Sequence, residues 1–187
     1  MAVRDQTRRK LTYDDYVLIP EDGLRHEILD GEHFVSPAPR PRHQIALANL
    51  NFNLMSFVSE KRLGRVLFAP LDFVFDKHNV AQPDLVFISN ERSGLIGDAY
   101  ISGAPELVIE ILSPSTRRTD ELIKRSIYER FGALEYWLVD PDRRTVQVFR
   151  RAGSVFGSGE IFSSEAGESL ATPLLPGLTI QVSAIFE

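Results

Sequence analysis

From Pro41 to Leu63 apolar residues recur at Ile45, Leu47, Ala48, Leu50, Leu54, Met55, Phe57 and Val58, the spacing of one helical face. Gly64 is expected to end this long helix as its C-terminal cap. Elsewhere the apolar runs are short and bounded by turn formers, which predicts strands. Arg25 to Leu29 and Glu32 to Val35 flank Asp30-Gly31, a dipeptide suited to a two-residue hairpin because both central positions take positive φ. Arg65 to Phe75, with a proline at position 70, predicts a strand, and Asp84 to Ile88 predicts another after a turn at Lys77-His78-Asn79. Leu107 to Leu112 is apolar at every position except Glu110, the pattern of a strand buried on both faces. Glu135 to Asp140 and Thr145 to Arg150 predict two strands around Pro141-Asp142-Arg143-Arg144. Thr12 with Asp15 predicts a short helix to about Leu18, stopped by Pro20. Thr119, with Asp120 and Glu121 behind it, is expected to cap a helix ending at Gly132, whose stripe Ile123, Ile127 and Phe131 packs on a sheet. The C-terminal segment predicts short strands and loops. Together these elements imply an α/β (α+β) fold: a mixed β-sheet of roughly six to eight strands flanked by α-helices.

A chain of 187 residues fits one domain over its whole length, with residues 1–11 a flexible N-terminus. The loose Gly/Ser stretch from Gly153 to Gly159 is too short to mark a boundary. The absence of cysteine excludes disulfides and thiolate metal ligands and is compatible with a reducing cytoplasm. Arg4, Arg8, Arg9 and Lys10 are followed by no apolar signal core, and no apolar run is long enough to span a bilayer, so a cytoplasmic location away from membranes is expected. The net charge of −5 opposes nucleic-acid binding by bulk electrostatics. Basic residues are nevertheless clustered at Arg40 and Arg42, Arg117 and Arg118, Lys124 and Arg125, and Arg143 and Arg144, and carboxylates reserved for a cation would lower the net charge without repelling a polyanion.

Three residues carry the chemical interest. An unpaired carboxylate at Glu110 would cost several kcal/mol inside a central strand, so it requires a hydrogen-bonding network, a basic side chain or a metal. Asp84 opens an apolar strand directly after Pro83; it suits a turn cap, or a hard-cation site shared with a second acid on a neighbouring strand. Lys124 adjoins the apolar stripe of its helix, where a lysine either snorkels to solvent or turns its ammonium toward the acids. Tyr136 and Trp137 lie within an apolar strand and are assigned to the core rather than to base stacking. No Gly-rich phosphate loop or nucleophile elbow is present.

Several longer segments then occur in one order: His26-Glu27-Ile28-Leu29-Asp30-Gly31-Glu32, Ser36-Pro37 with His43 downstream, and Gln82-Pro83-Asp84-Leu85-Val86. They are followed by Pro105-Glu106-Leu107-Val108-Ile109-Glu110-Ile111-Leu112-Ser113-Pro114-Ser115, the series Asp120, Lys124 and Tyr128, and Glu135-Tyr136-Trp137-Leu138-Val139-Asp140-Pro141. From about Thr12 to Phe186 the chain resembles the bacterial "putative restriction endonuclease" family abundant in cyanobacteria, within the PD-(D/E)XK nuclease-like superfamily. The resemblance implies a restriction-endonuclease-like core and metal-dependent endonuclease activity on nucleic acid, DNA first, with Mg²⁺ as cofactor and Mn²⁺ as its substitute. It implies Asp84, Glu110 and the backbone carbonyl of Ile111 as metal ligands, and Glu27 as an acid completing the site or meeting a second metal. The superfamily lysine two residues after the acid would fall at position 112, which is Leu, and the family pattern passes its role to Lys124. His43 also matches the family, either in the active site or as a helix-capping or phosphate-contacting residue.

In such a site a hard cation neutralises the phosphoryl charge, while Lys124 orients or helps to deprotonate the attacking water. A homodimer is compatible with cutting two strands, although no interface can be located. Two other readings stay open. One is a catalytically inactive nuclease-fold binding or assembly module. The other is a metal hydrolase using His26, His33, His43 and His78, whose spacing forms no zinc motif.

Overall fold

The structure, a computed structural model, describes residues 9–187, so residues 1–8 of the expected flexible terminus lie outside the described residues. Residues 9–11 are held in place: Arg9 reaches Asp15 at 3.1 Å and the Leu11 N–H donates to the Gly31 carbonyl at 2.9 Å. The chain continues through α1 (Tyr13–Tyr16), β1 (Arg25–Leu29), β2 (Glu32–Ser36), α2 (Pro41–Lys61), β3 (Gly64–Phe68), β4 (Phe73–Asp76), β5 (Asn79–Ala81) and β6 (Leu85–Ser89). A 3-10 turn (Asn90–Leu95), β7 (Ile101–Ser102) and β8 (Leu107–Ile111) follow. A π-helical turn (Thr119–Lys124) then leads into α3 (Arg125–Phe131), β9 (Glu135–Asp140), β10 (Thr145–Ala152), β11 (Val155–Phe156), β12 (Glu160–Ser163), β13 (Ser169–Leu170), β14 (Ile180–Gln181) and α4 (Val182–Ile185).

The strands form two main sheets where one was expected. The larger has the order β11-β10-β9-β8-β6-β3, with β12 also on β10; β8 and β9 run parallel, and the remaining pairs are antiparallel. The smaller has the order β2-β1-β5-β4-β7. The division falls inside the segment from Arg65 to Phe75, which the sequence suggests is one strand. Pro70 has no N–H to give a ladder, so the chain leaves the larger sheet after Phe68 and enters the smaller at Phe73. Strand β8 is central, as its apolar run predicts, and all five of its residues are buried. On one face of the larger sheet, Ala46, Leu50, Leu54 and Val58 of α2 pack over Leu107, Ile109, Trp137 and Val139. On the other, Ile127 and Tyr128 of α3 pack over Val108, Tyr136 and Leu138. Tyr136 and Trp137 are core residues, as anticipated.

Helix boundaries give two corrections. The left-handed residue after α2 is Arg62 (φ 55°), and Gly64 is already in β3. Gly64 is needed there for another reason: a Cβ would lie 2.1 Å from the Ile88 carbonyl oxygen across the β3–β6 ladder. At the other helix the cap is Ser113 rather than Thr119. The Ser113 hydroxyl accepts the Thr116 N–H at 3.3 Å, its carbonyl accepts the Arg117 N–H at 2.9 Å, and the chain is already helical at Arg117. The Asp30-Gly31 hairpin forms as expected, with φ of 52° and 83°.

These assignments predict opposite effects at neighbouring positions. Gly64→Ala should destabilise the fold by about 2 kcal/mol or more, whereas Arg62→Gly should be neutral or stabilising by up to about 1 kcal/mol. Urea unfolding of both variants checks the pair.

Candidate active site

Strands β6 and β8 pair with Leu85 opposite Ile109, so Asp84 and Glu110 lie at adjacent positions one step further along, on the face that α3 covers. Glu110 is 1% exposed and cannot draw on bulk water for solvation. Its Oε1 accepts the Tyr128 hydroxyl at 2.6 Å and lies 3.1 Å from the Lys124 ammonium. Lys124 is itself 1% exposed, and its Nζ also stands 2.9 Å from Glu27 Oε1 and 3.5 Å from Asp120 Oδ1. Glu27 arrives from β1 in the smaller sheet, where it also accepts the Gln82 N–H at 2.7 Å. Lys124 therefore joins acids from both sheets and from its own helix.

The π-helical turn places Lys124 in this position. The Asp120 carbonyl accepts two donors, the Arg125 N–H and the buried Tyr136 hydroxyl, the latter at 2.9 Å. Such widened turns shift a side chain off regular helical register and recur at functional positions.

Asp84, 2% exposed, has a separate set of partners. Its Oδ2 accepts the Ile111 N–H at 2.8 Å and faces His43 Nε2 at 3.1 Å, while its Oδ1 accepts from Arg25 Nη1 at 2.7 Å. A carboxylate only accepts, so the His43 proton facing it sits on Nε2. His43 lies in the first turn of α2, and its Nδ1 is buried with no hydrogen-bond partner among the described residues.

The electrostatics follow from crowding charges away from water. Burial pushes the Glu110 carboxyl up to about 8 against the pull of Lys124, and burial likewise raises Asp120 to about 6. Burial alone would also raise Asp84, but the His43 hydrogen bond and the Arg25 charge hold it below the ordinary carboxylate range. Burial would lower Lys124, yet Glu110, Glu27 and Asp120 keep it above the ordinary lysine range, so it is an ammonium at neutral pH.

Asp84, Glu110, Lys124, Glu27 and His43 thus converge, and Ile111 touches the group through its N–H. Sequence reasoning gave no role to Arg25, Asp120 or Tyr128. Asp120, Lys124 and Tyr128 are spaced four apart, and Arg25 shares a strand face with Glu27, so periodicity carried a signal for all three. The four histidines do not gather: His26 faces His33 at 2.9 Å, and His78 bonds the Leu11 carbonyl. One member of each basic cluster is paired with acids: Arg42 with Asp142, Arg117 and Arg143 with Asp140, and Lys124 with the buried carboxylates.

Four buried carboxylates, Glu27, Asp84, Glu110 and Asp120, face two permanent cations, Lys124 and Arg25. The surplus is negative, the donors are all oxygen, and Asp120 Oδ1 is buried without a hydrogen bond among the described residues. This chemistry fits a hard divalent cation. No group of three histidine or acidic side chains among the described residues is placed to hold a metal ion as it stands: Arg25 and His43 contact Asp84, and Lys124 lies between the other acids. In front of Asp84 lies a cavity of about 740 Å³, whose walls include Arg25, Arg40, His43, Ser113 and Thr116.

No curated protein matches the chain. A crystal structure described as a putative nuclease belonging to DUF820 from Anabaena variabilis superposes with a TM-score of 0.80 at 24% identity, covering 94% of this chain and 97% of that one, and so shares its fold. The profile of the Uma2 family, described as putative restriction endonucleases, matches residues 13–183. With nearly its whole length matched and a restriction-endonuclease-like fold around the cluster, the chain belongs to the Uma2 family.

Proposed function

We propose that this chain is a single-domain, divalent-metal-dependent endonuclease that hydrolyses phosphodiester bonds of DNA. The observation that carries this reading is the buried acidic cluster, with its negative surplus, behind a cavity whose walls carry basic and hydroxyl side chains. Asp84 and Glu110 would hold the ion, with Glu27 and Asp120 behind them. When bound, Mg²⁺ or Mn²⁺ supplies positive charge for the phosphoryl group and activation of the attacking water. Lys124, held as an ammonium, stabilises negative charge and orients Glu110 and Glu27; a proton-accepting role would require it neutral, against the direction its neighbours impose. His43 positions the Asp84 carboxylate through its Nε2 contact. The competing reading, a nuclease-fold module without catalysis, draws on one observation: both Asp84 oxygens already have protein partners.

The two readings separate in a plasmid-cleavage assay with Mn²⁺ or EDTA. Asp84→Asn and Glu110→Gln should each lower metal-dependent cleavage by about 10³-fold or more with the fold intact. Cutting retained by either variant would refute the assignment.

A proton and a cation compete for Glu110. Because burial raises this carboxyl to about 8 in the metal-free protein, an ion binding below that pH must displace a proton. Affinity for Mn²⁺ should therefore fall by up to about tenfold per unit as pH drops below about 8 and level off above it. Calorimetric titration at pH 6.5, 7.5 and 8.5 measures the trend.

Lys124→Met leaves buried acids without their shared cation and should destabilise the metal-free protein by about 3–5 kcal/mol. Denaturant unfolding in EDTA tests this, and any activity of the variant must be compared at matched folded fraction.

A further inference from the structure

Arg25 occupies the boundary between the cavity and the buried acids. Its side chain is 22% exposed and lines the cavity, whereas the Asp84 carboxylate it binds is 2% exposed. Asp84, Glu110 and Glu27 all act on its charge. Among the described residues, its side chain donates one hydrogen bond, from Nη1 to Asp84 Oδ1 at 2.7 Å, which leaves most of the five-donor fork unused. A guanidinium fork matches two oxygens of a phosphate, and a phosphate approaching the acids from this cavity meets repulsion unless a cation stands between them. A divalent ion on Asp84 would also repel a guanidinium held against the same oxygen.

We propose that Arg25 is an exchangeable cation: it neutralises Asp84 in the metal-free protein, and turns to the phosphodiester in the cavity once a divalent ion takes Asp84. The proposal rests on the nuclease reading above and adds a substrate-binding residue to it. Arg40, Ser113 and Thr116 on the same walls provide further phosphate-binding groups of the type this substrate requires. Metal and Arg25 then compete in the free protein. Metal and substrate cooperate, because a phosphate that draws Arg25 away leaves the carboxylate to the ion.

The test compares wild type, Arg25→Gln and Arg25→Lys, each verified as folded by circular dichroism. It measures the Mn²⁺ dissociation constant by calorimetry and kcat/KM for oligonucleotide cleavage at saturating Mn²⁺. Arg25→Gln should bind Mn²⁺ roughly tenfold more tightly yet cleave about 10²-fold more slowly. Arg25→Lys, which keeps the charge without the fork, should keep Mn²⁺ affinity within about threefold and lose about tenfold in cleavage. In wild type, a phosphorothioate oligonucleotide that resists cleavage should tighten Mn²⁺ binding by about fivefold or more, a measurement that needs no variant to fold. A variant that loses metal affinity together with activity, or unchanged cleavage by Arg25→Gln, or no coupling in wild type, would overturn the exchange. Wild type that neither binds Mn²⁺ nor cleaves would instead refute the nuclease reading itself.

Discussion

A lysine ammonium removed from water and set within 3.5 Å of three carboxylates from separate segments governs this molecule. None of the four groups is tolerable alone. Each charge moved into the interior loses several kcal/mol of hydration, which only close opposite charges and well-placed hydrogen bonds can offset. The Lys124 cluster therefore constrains where the smaller sheet can sit on the larger one, since Glu27 comes from the first, Glu110 from the second, and Asp120 from the helix between β8 and β9. Tyr128 and the Gln82 N–H take up further acceptor capacity of the same acids.

The same constraint connects fold to chemistry. Acids outnumber permanent cations in the cluster, burial together with the neighbouring acids raises Glu110 and Asp120, and Arg25 and His43 are held against Asp84. Each of these arrangements is one that a divalent ion would relax. The net charge of −5 is thus compatible with a polyanionic substrate: a substantial part of the acidity is interior, while basic and hydroxyl groups occupy the cavity walls.

Much of this was legible from residue pattern. The lone acid in an apolar run points to Glu110 and the central strand, the Asp-Gly dipeptide points to the hairpin, and the resemblance to the endonuclease family groups Asp84, Lys124, Glu27 and His43. What escaped depends on three-dimensional context. Arg65 to Phe75 has the composition of one strand, and its division between two sheets is set by a backbone without a donor at Pro70. Gly64 resembles a helix cap, but its small size answers to the Ile88 carbonyl, which is distant in sequence. Lys124 alone resembles a snorkelling lysine; the π-helical turn and the acids of two other segments bury it. Arg25 shares a strand face with Glu27, but its partner Asp84 is 59 positions away, so the pairing itself is not legible in the sequence.

A crystal of the protein soaked in Mn²⁺, with data collected for anomalous scattering, tests the central claim most directly. The account predicts a peak about 2.1–2.3 Å from carboxylate oxygens of both Asp84 and Glu110, with Arg25 moved off Asp84. A peak confined to surface groups such as His26 and Asp22, or none, with the Arg25–Asp84 pair intact, would contradict it.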